Sequence, residues 1–569
     1  MADEHDVRVP SPLATAIAWF GPPRNYQLTR WIVLRLLGVV YVFAFLGIVM
    51  QGLPLLGEHG LTPVGAYVDR IHAAGGTFWD VPSVFVLDAS DTSLMAWAYI
   101  GLAIALCVAV GWANMPMLLA LWFIYGSYER VGQLWWGFGW EIQILDTTLV
   151  AACLAHPWDP RPLAARAPPI TAIVLMRWLV FRIMLGAGLI KLRGDSCWTE
   201  LTCLDAHFET QPIPNPLSAW FHHLPHAVHA TGVAFNHVVE CVAPWFVFGP
   251  RRLRLIAGVL MASFQIILIA SGNLAFLNWL TLVPILAVFD DDFLLRLVPK
   301  RPRAWLGTRL VASTRDGHQL AAAMAIALAV ISVWQPATDW MTAAHQVYVG
   351  VALVIVAIGV AIRVYQWRVD LHQLALGAFA ALVIVKSVPV IQNLAARHQA
   401  MNTSYDRLAL VNTYGAFGSV DMVRHELVIE GTLSEDPETS EWRTFELPCK
   451  PGDLARRPCI LGPYHRRLDW LIWFSAMDDR LSDPWILHLV WKLLDGDRGI
   501  RHLVSDPFGG QPPRWVRIRR FVYHLEPPGA DTWWSRDSEQ LWLPPVSLTS
   551  PGLLDTLGEY GWPSPSDRD

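Results

Sequence analysis

The chain has 569 residues, of which 54% are hydrophobic and only 16% are charged. Soluble domains carry about 25% charged residues, so this composition predicts an integral membrane protein that contacts the lipid bilayer. The formal net charge of −5 offers no basic face to phosphates and argues against a nucleic-acid partner.

Apolar runs long enough to cross a bilayer occur about eleven times before residue 390. The polar segment 1–29 precedes them and contains no cleavable signal pattern, so the first helix is expected to stay as an anchor. We therefore predict a polytopic α-helical membrane bundle over residues 30–390. The runs lie near 30–50, 93–111, 115–130, 141–156, 171–190, 228–248, 255–271, 275–289, 319–335, 344–362 and 371–389.

Basic residues in alternate loops predict the orientation of this bundle. With segment 1–29 in the cytoplasm, the cytoplasmic segments hold about fifteen Lys and Arg residues, against about four in the short loops opposite. An odd number of helices then places the outward loop (residues 191–227) and everything after residue 390 on the non-cytoplasmic side. The other cytoplasmic segments in this scheme are 112–114, 157–170, 249–254, 290–318 and 363–370.

From about residue 400 the pattern predicts a folded extramembrane domain. Short alternating runs at 413–433, 442–449 and 514–527 predict strands, whereas 468–479 and 484–497 have helical spacing and Trp-rich faces. These elements predict a β-rich α+β domain over residues 400–546. The Pro-, Ser- and Asp-rich tail, 547–569, is expected to be disordered.

The outward loop carries the most distinctive polar pattern in the chain. It begins where an apolar helix ends, and a loop this polar between two membrane helices indicates a functional surface rather than a connector. Its candidate residues are Lys191, Arg193, Asp195, Trp198, Asp205, His207, Glu209, Gln211, Pro212 and Asn215.

Four of the seven cysteines form two close pairs on the predicted non-cytoplasmic side. Cys197 and Cys203 share the outward loop, and Cys449 and Cys459 share one turn of the C-terminal domain. Two local disulfides are predicted, with free thiols as the alternative. Neither pair has the C-x-x-C spacing of a redox catalyst.

Ionisable residues within predicted membrane helices mark a possible cavity or fix helix register. These residues are Glu141, Asp146, Arg177, Arg182 and Glu240, and we expect Glu141 to pair with Arg182. Lys191, at the membrane edge, is either a desolvated base or a lysine paired with Asp195 or Glu240.

The histidines at 222, 223, 226 and 229 have a spacing that a metal site could use, but no Cys or carboxylate accompanies them at helical spacing. Interfacial histidines are the simpler interpretation, and no metal site is predicted. The chain also lacks a G-x-S-x-G elbow, a phosphate-binding glycine loop and an H-E-x-x-H motif. No cofactor is predicted either.

Several strings are similar to the lipase maturation factor family, polytopic membrane proteins of the endoplasmic reticulum. The similarity covers most of residues 30–545, and the chain is identified as a member of this family. It includes the run at 186–216, VGQLWWGFGWEIQILD (131–146), FNHVVECVAPWF (235–246), SGNLAFLNWLTLVP (271–284), YGAFG (414–418), VIEGTL (428–433), CKPGDLARRPC (449–459), PYHRRLDWLIWF (463–474) and LPP (543–545).

This resemblance implies a membrane-bound factor that assists folding or assembly of exported lipases, with the outward loop and the C-terminal domain facing the client. It implies the endoplasmic reticulum membrane in eukaryotes, or the plasma membrane in a bacterium. The string AGLIKL, with Trp198 seven residues after Lys191, also resembles the vitamin K-dependent gamma-carboxylase family. That resemblance implies an alternative, a membrane-embedded enzyme with Lys191 as its base. A transporter is a third hypothesis, disfavoured because no inverted repeat is visible.

Overall fold

The computed structural model describes residues 25–164, 166–307 and 371–562. Six helices in these residues are long and apolar enough to cross a membrane. They are α1 (Gln27–Leu56), α3 (Asp91–Val110), α6 (Ile170–Arg193), α10 (His226–His237, continued by a π turn at Val238–Val242 and a 3₁₀ turn to Phe248), α11 (Arg251–Ser271) and α15 (Leu371–Ala395).

Shorter helices complete this part of the chain. They are α2 (Val64–Ala73), α4 (Met115–Val131), α5 (Gly139–Leu154), α7 (Ser196–Thr199), α8 (Cys203–Thr210), α9 (Ser218–His222), α12 (Leu277–Leu286), α13 (Asp291–Leu297) and α14 (Lys300–Gly307). Every predicted apolar run within the described residues coincides with a helix. The runs at 319–335 and 344–362 lie outside those residues, so the total of about eleven stays a prediction.

The centre of the bundle is α5, which is buried along nearly its whole length. A helix that is enclosed on all sides shows no single apolar face in its sequence, and its polar residues need partners inside the protein. The position of α5 therefore makes Glu141 and Asp146 internal groups rather than surface charges.

The C-terminal domain is built on an antiparallel sheet of four strands in the order β2-β1-β3-β4. The predicted strands and helices are present. The structure adds β4, in a stretch for which no strand was predicted. Its Pro544 and Pro545 are compatible with an edge strand, because proline cannot donate to a central ladder. The elements are β1 (Arg424–Thr432), β2 (Arg443–Thr444), α16 (Arg467–Met477), α17 (Pro484–Asp495), α18 (Arg498–Arg501), β3 (Trp515–Leu525) and β4 (Trp534–Val546).

The tail differs from the prediction of disorder. Residues Pro551–Tyr560 form helix α19, and Leu553 and Leu557 on it are buried. Trp562 then stacks on His488 of α17 with ring centroids 4.7 Å apart. The spaced leucines supply the apolar face that holds this segment, and residues 563–569 lie outside the described part of the chain.

One end of the bundle gathers the described residues of the segments 157–170, 249–254 and 290–307, which were predicted to be cytoplasmic, around the start of α1. Arg30 donates to the carbonyl of Arg166 at 2.7 Å, and Arg251 forms a 2.8 Å ion pair with Asp290. Asp290 and Asp291 are buried at this end. The C-terminal domain packs on the opposite end, because Gln51 near the end of α1 donates to the carbonyl of His465 at 2.7 Å.

Candidate functional site at the junction of bundle and domain

Lys191 lies buried near the end of α6, inside a closed set of polar partners. Its amine donates to both carboxylate oxygens of Glu240 at 2.7 Å and to Asn236 Oδ1 at 3.0 Å. The Trp198 ring centroid lies 5.0 Å from the amine. Glu240 sits in the π turn of α10, a deformation that often occurs at functional sites. All three donors of the ammonium are engaged, and of the two expected partners Glu240, not Asp195, takes this position.

The start of the outward loop is fastened to the segment that enters the C-terminal domain. Arg193 donates to Gln399 Oε1 and to the Leu394 carbonyl, both at 2.8 Å. Trp198 Nε1 donates to the Phe417 carbonyl at 2.9 Å. Asp195 caps α7 by accepting from the Cys197 amide at 3.0 Å. These contacts make the first part of the loop a joint between α6 and residues 394–420.

The Cys197–Cys203 and Cys449–Cys459 disulfides are both formed. The first closes the turn between α7 and α8 in the outward loop, and the second closes a turn ahead of α16. The three other cysteines, Cys107, Cys153 and Cys241, are free. The prediction of two local disulfides is therefore confirmed.

The loop histidines are divided between two carboxylates. His226 and His229 place their Nδ1 atoms 2.9 and 2.8 Å from Asp205, whereas His222 Nε2 lies 3.4 Å from Glu209. Glu209 also accepts from the Leu525 amide of β3 at 2.7 Å. Within the described residues, no group of three or more His, Cys, Asp or Glu is placed to hold a metal ion.

Arg424 on β1 binds the backbone of the outward loop directly. Its guanidinium donates to the carbonyls of Glu209 and Gln211 at 2.5 Å and of Pro212 at 3.1 Å. Glu426, two residues along the strand, accepts from the same guanidinium and forms a 2.5 Å ion pair with Lys450. Burial lowers the pKa of the Lys450 ammonium even beside this carboxylate. Sequence reasoning missed Arg424 because an arginine in an alternating strand resembles a solvent-facing residue.

The rest of the loop is anchored to the end of α11. Gln211 Nε2 donates to the carbonyl of Ser271 at 2.9 Å, and Asn215 Nδ2 donates to that of Ala270 at 3.0 Å. Asn215 Oδ1 also accepts from the Ser218 amide at 3.1 Å, at the start of α9. The loop is consequently a folded layer between bundle and sheet.

The two buried carboxylates of α5 have different partners, which corrects the expected Glu141–Arg182 pair. Arg182 binds Asp146 at 3.0 Å and donates to the Asn412 carbonyl at 2.9 Å. Glu141 instead pairs with Arg467 of α16 at 2.8 Å. The two carboxylates lie five positions apart on α5 and face different partners, a division that helix spacing alone could not assign.

Arg177 is a further buried charge, near the N-terminal end of α6. It donates to the Ala287 carbonyl at 3.1 Å and to the Tyr26 hydroxyl at 2.8 Å. Its partners lie within the bundle, next to the basic loops, so Arg177 fixes the packing of helices far from the C-terminal domain.

A cavity of about 560 Å³ lies where the bundle, the outward loop and the C-terminal domain meet. We call it the junction cavity, and we call residues 401–421, which form one wall, the junction segment. Of the predicted loop residues, His207, Gln211 and Pro212 line it; Lys191 and the remaining members do not. The other walls come from the start of α5, the middle of α6 and the aromatic face of α16, including Phe138, Trp140, Ile183, Ala187, Trp470, Trp473 and Phe474.

Two glycines allow the junction segment to approach α6. A Cβ on Gly186 would lie 2.4 Å from the Tyr414 carbonyl oxygen, and one on Gly194 would lie 2.3 Å from that of Gly418. Backbone atoms cannot yield as a flexible side chain can. The YGAFG string and the Trp-rich spacing of α16 were visible in the sequence, but nothing there indicated that they enclose a common space.

Two family descriptions match the chain: a lipase maturation factor transmembrane domain over residues 28–296 and a lipase maturation factor C-terminal domain over residues 410–544. Lipase maturation factor 1 of Bos taurus is 39% identical over 95% of this chain and 93% of its own length. The Homo sapiens protein of that name is 38% identical over 95% of this chain and 91% of its own length. Lipase maturation factor 2 of Mus musculus is 29% identical over 94% of this chain and 85% of its own length. No solved structure matches the chain.

Proposed function

Because this chain belongs to the lipase maturation factor family, we propose that it assists the folding or assembly of exported lipases from within a membrane. The observation that carries the proposal is the extent of the match, which includes the membrane bundle and the C-terminal domain together. The buried Glu141–Arg467 ion pair between these two parts supports a single working unit. In this proposal the chain binds an incompletely folded lipase and does not itself change it chemically.

We further propose that the outward loop and the C-terminal domain face the endoplasmic reticulum lumen, or the periplasm in a bacterium. The basic loops gather at the opposite end of the bundle, as expected for a cytoplasmic side. Two disulfides on the domain side fit an oxidising compartment. Protease added to sealed membranes from the cytoplasmic face should leave residues 400–545 intact, and cleavage there would contradict this orientation.

The client-facing surface in this proposal is the exposed face of α9 and its flanks. Ala219 is buried against the sheet, so α9 is held in place, while Leu217, Trp220 and Leu224 are exposed. Trp220 has 62% of its surface accessible. A rigid apolar patch beside a membrane can hold apolar surface of an unfolded client until that surface is buried.

The test is the specific activity of a secreted lipase in cells that lack this protein and are complemented with variants. Wild type should restore lipase activity, and Trp220→Ser, at equal abundance, should restore less than half of it. Trp158→Ser is the matched control, because Trp158 is 77% exposed at the opposite end of the bundle. Equal rescue by both variants would remove this patch from the proposal, and unchanged lipase activity in the deletion would overturn the function itself.

A further inference from the structure

The junction cavity has the size and lining of a small-molecule site. Its volume of about 560 Å³ lies inside the usual range for ligand pockets, and its walls are mostly aromatic and aliphatic. It lies where the bundle meets the C-terminal domain. A ligand that is largely apolar would gain free energy by leaving water for these walls.

The electrostatics of the walls exclude an anionic ligand. No Lys or Arg lines the cavity in the described part of the chain, and Asp421 is the one charged residue there. Burial lowers the pKa of His207 to about 4, with the Lys191 ammonium contributing, so its imidazole is neutral near pH 7. A carboxylate or phosphate in the cavity would lose solvation without gaining a countercharge, which disfavours its binding.

His207 is the polar group most available to a ligand. Its ring is buried, lines the cavity and packs edge-on against Phe417 with centroids 5.1 Å apart. Neither ring nitrogen has a hydrogen-bond partner among the described residues. A neutral imidazole offers one donor and one acceptor. A ligand hydroxyl or ester carbonyl could pair with this ring at the cavity wall.

Three other polar side chains in the walls already have partners. Trp473 Nε1 donates to the Thr210 carbonyl at 2.9 Å, Tyr414 donates to Asp146 at 2.8 Å, and Gln143 donates to Thr281 at 3.0 Å. A peptide would bring one donor and one acceptor per residue, more than these walls can satisfy. A molecule with one small polar end and a long apolar remainder fits the walls better.

The junction segment is held in a strained form around this space. Phe417 lines the cavity with a φ angle of 53°, in the left-handed region that bulky residues rarely adopt. Strain of this kind persists where surrounding contacts enforce it, and it concentrates at ligand clamps. The Trp198 bond to the Phe417 carbonyl is one such contact.

We propose that the junction cavity binds a neutral single-chain lipid of the monoacylglycerol class. The acyl chain lies along the aromatic face of α16, and a glycerol hydroxyl or the ester carbonyl bonds to His207. This site does not depend on the proposed function, because lipid binding is measured on the purified protein without any lipase.

The experiment uses the full-length protein in lipid nanodiscs and a radiolabelled monooleoylglycerol that carries a photoreactive diazirine in its acyl chain. Labelled peptides are mapped, and unlabelled monooleoylglycerol, oleate and glycerol compete for the site. Labelling should be saturable, should map to the junction segment and α16, and should be competed by monooleoylglycerol at least tenfold better than by oleate. Labelling confined to the outer faces of α3 or α11, or equal competition by oleate, would overturn the proposal.

Two variants sharpen the test. His207→Leu keeps the cavity apolar and removes the hydrogen bond, so affinity should fall about tenfold. Phe474→Lys should reverse the preference toward oleate, because it adds a cation to the cavity wall at a position that is 45% exposed. Tyr560→Lys on α19 is the matched control and should retain the wild-type preference. If neither cavity variant alters the ligand preference or affinity, the cavity is not the site.

Discussion

Arg467 of the C-terminal domain places a guanidinium nitrogen 2.8 Å from Glu141 Oε1, inside the membrane bundle. The same guanidinium lies 3.8 Å from the ring centroid of Trp136 and donates to the carbonyl of Trp135. Both charged side chains are fully buried. The C-terminal domain thus places a buried cation inside the bundle and does not contact only the surface of the bundle.

Removing one member of this pair should destabilise the protein strongly. Arg467→Met leaves the Glu141 carboxylate buried without its partner, and we expect a loss of about 3 to 5 kcal/mol. The double variant Arg467→Met/Glu141→Gln should lose clearly less than the sum of the single variants. Thermal unfolding in detergent measures this coupling. Glu141→Gln combined with Arg182→Met is the comparison, because those residues pair elsewhere; stronger coupling there than in the Arg467 cycle would contradict the structure.

Variants of the Lys191–Glu240 pair distinguish a structural role of Lys191 from a catalytic one. Lys191→Met should reduce protein abundance, because Glu240 loses the ammonium that it binds at 2.7 Å. Lys191→Met/Glu240→Gln removes both charges and should restore most of the abundance. If lipase activity in complemented cells returns with the abundance, the amine is structural. Restored abundance with absent lipase activity would instead favour Lys191 as a base.

Both disulfides should be present in the native protein. Alkylation in denaturant without reduction should modify only Cys107, Cys153 and Cys241, as measured by intact mass. Cys197→Ser/Cys203→Ser should lower stability by about 2 to 3 kcal/mol through the added freedom of the unfolded loop. Cys241→Ser serves as the control with an unpaired cysteine. Alkylation of Cys197 or Cys203 before reduction would contradict the assignment.

Stability should fall as the pH is lowered from 7 to 5. In the folded protein, burial lowers the pKa of His207 to about 4 and that of His488 to about 3, below the ordinary value of 6.5 for an exposed histidine. As the pH falls, these histidines are therefore protonated in the unfolded chain before the folded one. Each of them lowers the free energy of unfolding by about 2 kcal/mol between pH 7 and pH 5. His207→Leu should flatten the pH dependence of the melting temperature, whereas the exposed control His72→Asn should leave it unchanged. An unaltered slope in His207→Leu would show that this ring is not held neutral.

The sequence predicted the secondary-structure elements better than the tertiary contacts between them. The helices of the bundle, the strands β1 and β3, and both disulfides follow from apolar length, alternation and spacing, which are local properties. The pairing of Glu141 depends on which of several arginines arrives from a distant part of the chain. The junction cavity likewise needs α5, α6 and α16 to be placed together, and Arg424 gains its role only when a loop backbone lies beside it.

The distance along the chain between Arg467 and Glu141 has a consequence for biosynthesis. The carboxylate enters the membrane 326 residues before its guanidinium partner is made. At a synthesis rate of about 5 to 20 residues per second, Glu141 is in the bundle for tens of seconds before Arg467 is synthesised. During that interval the bundle is incompletely assembled, and its buried charge is paired only when the C-terminal domain of the same chain packs against it.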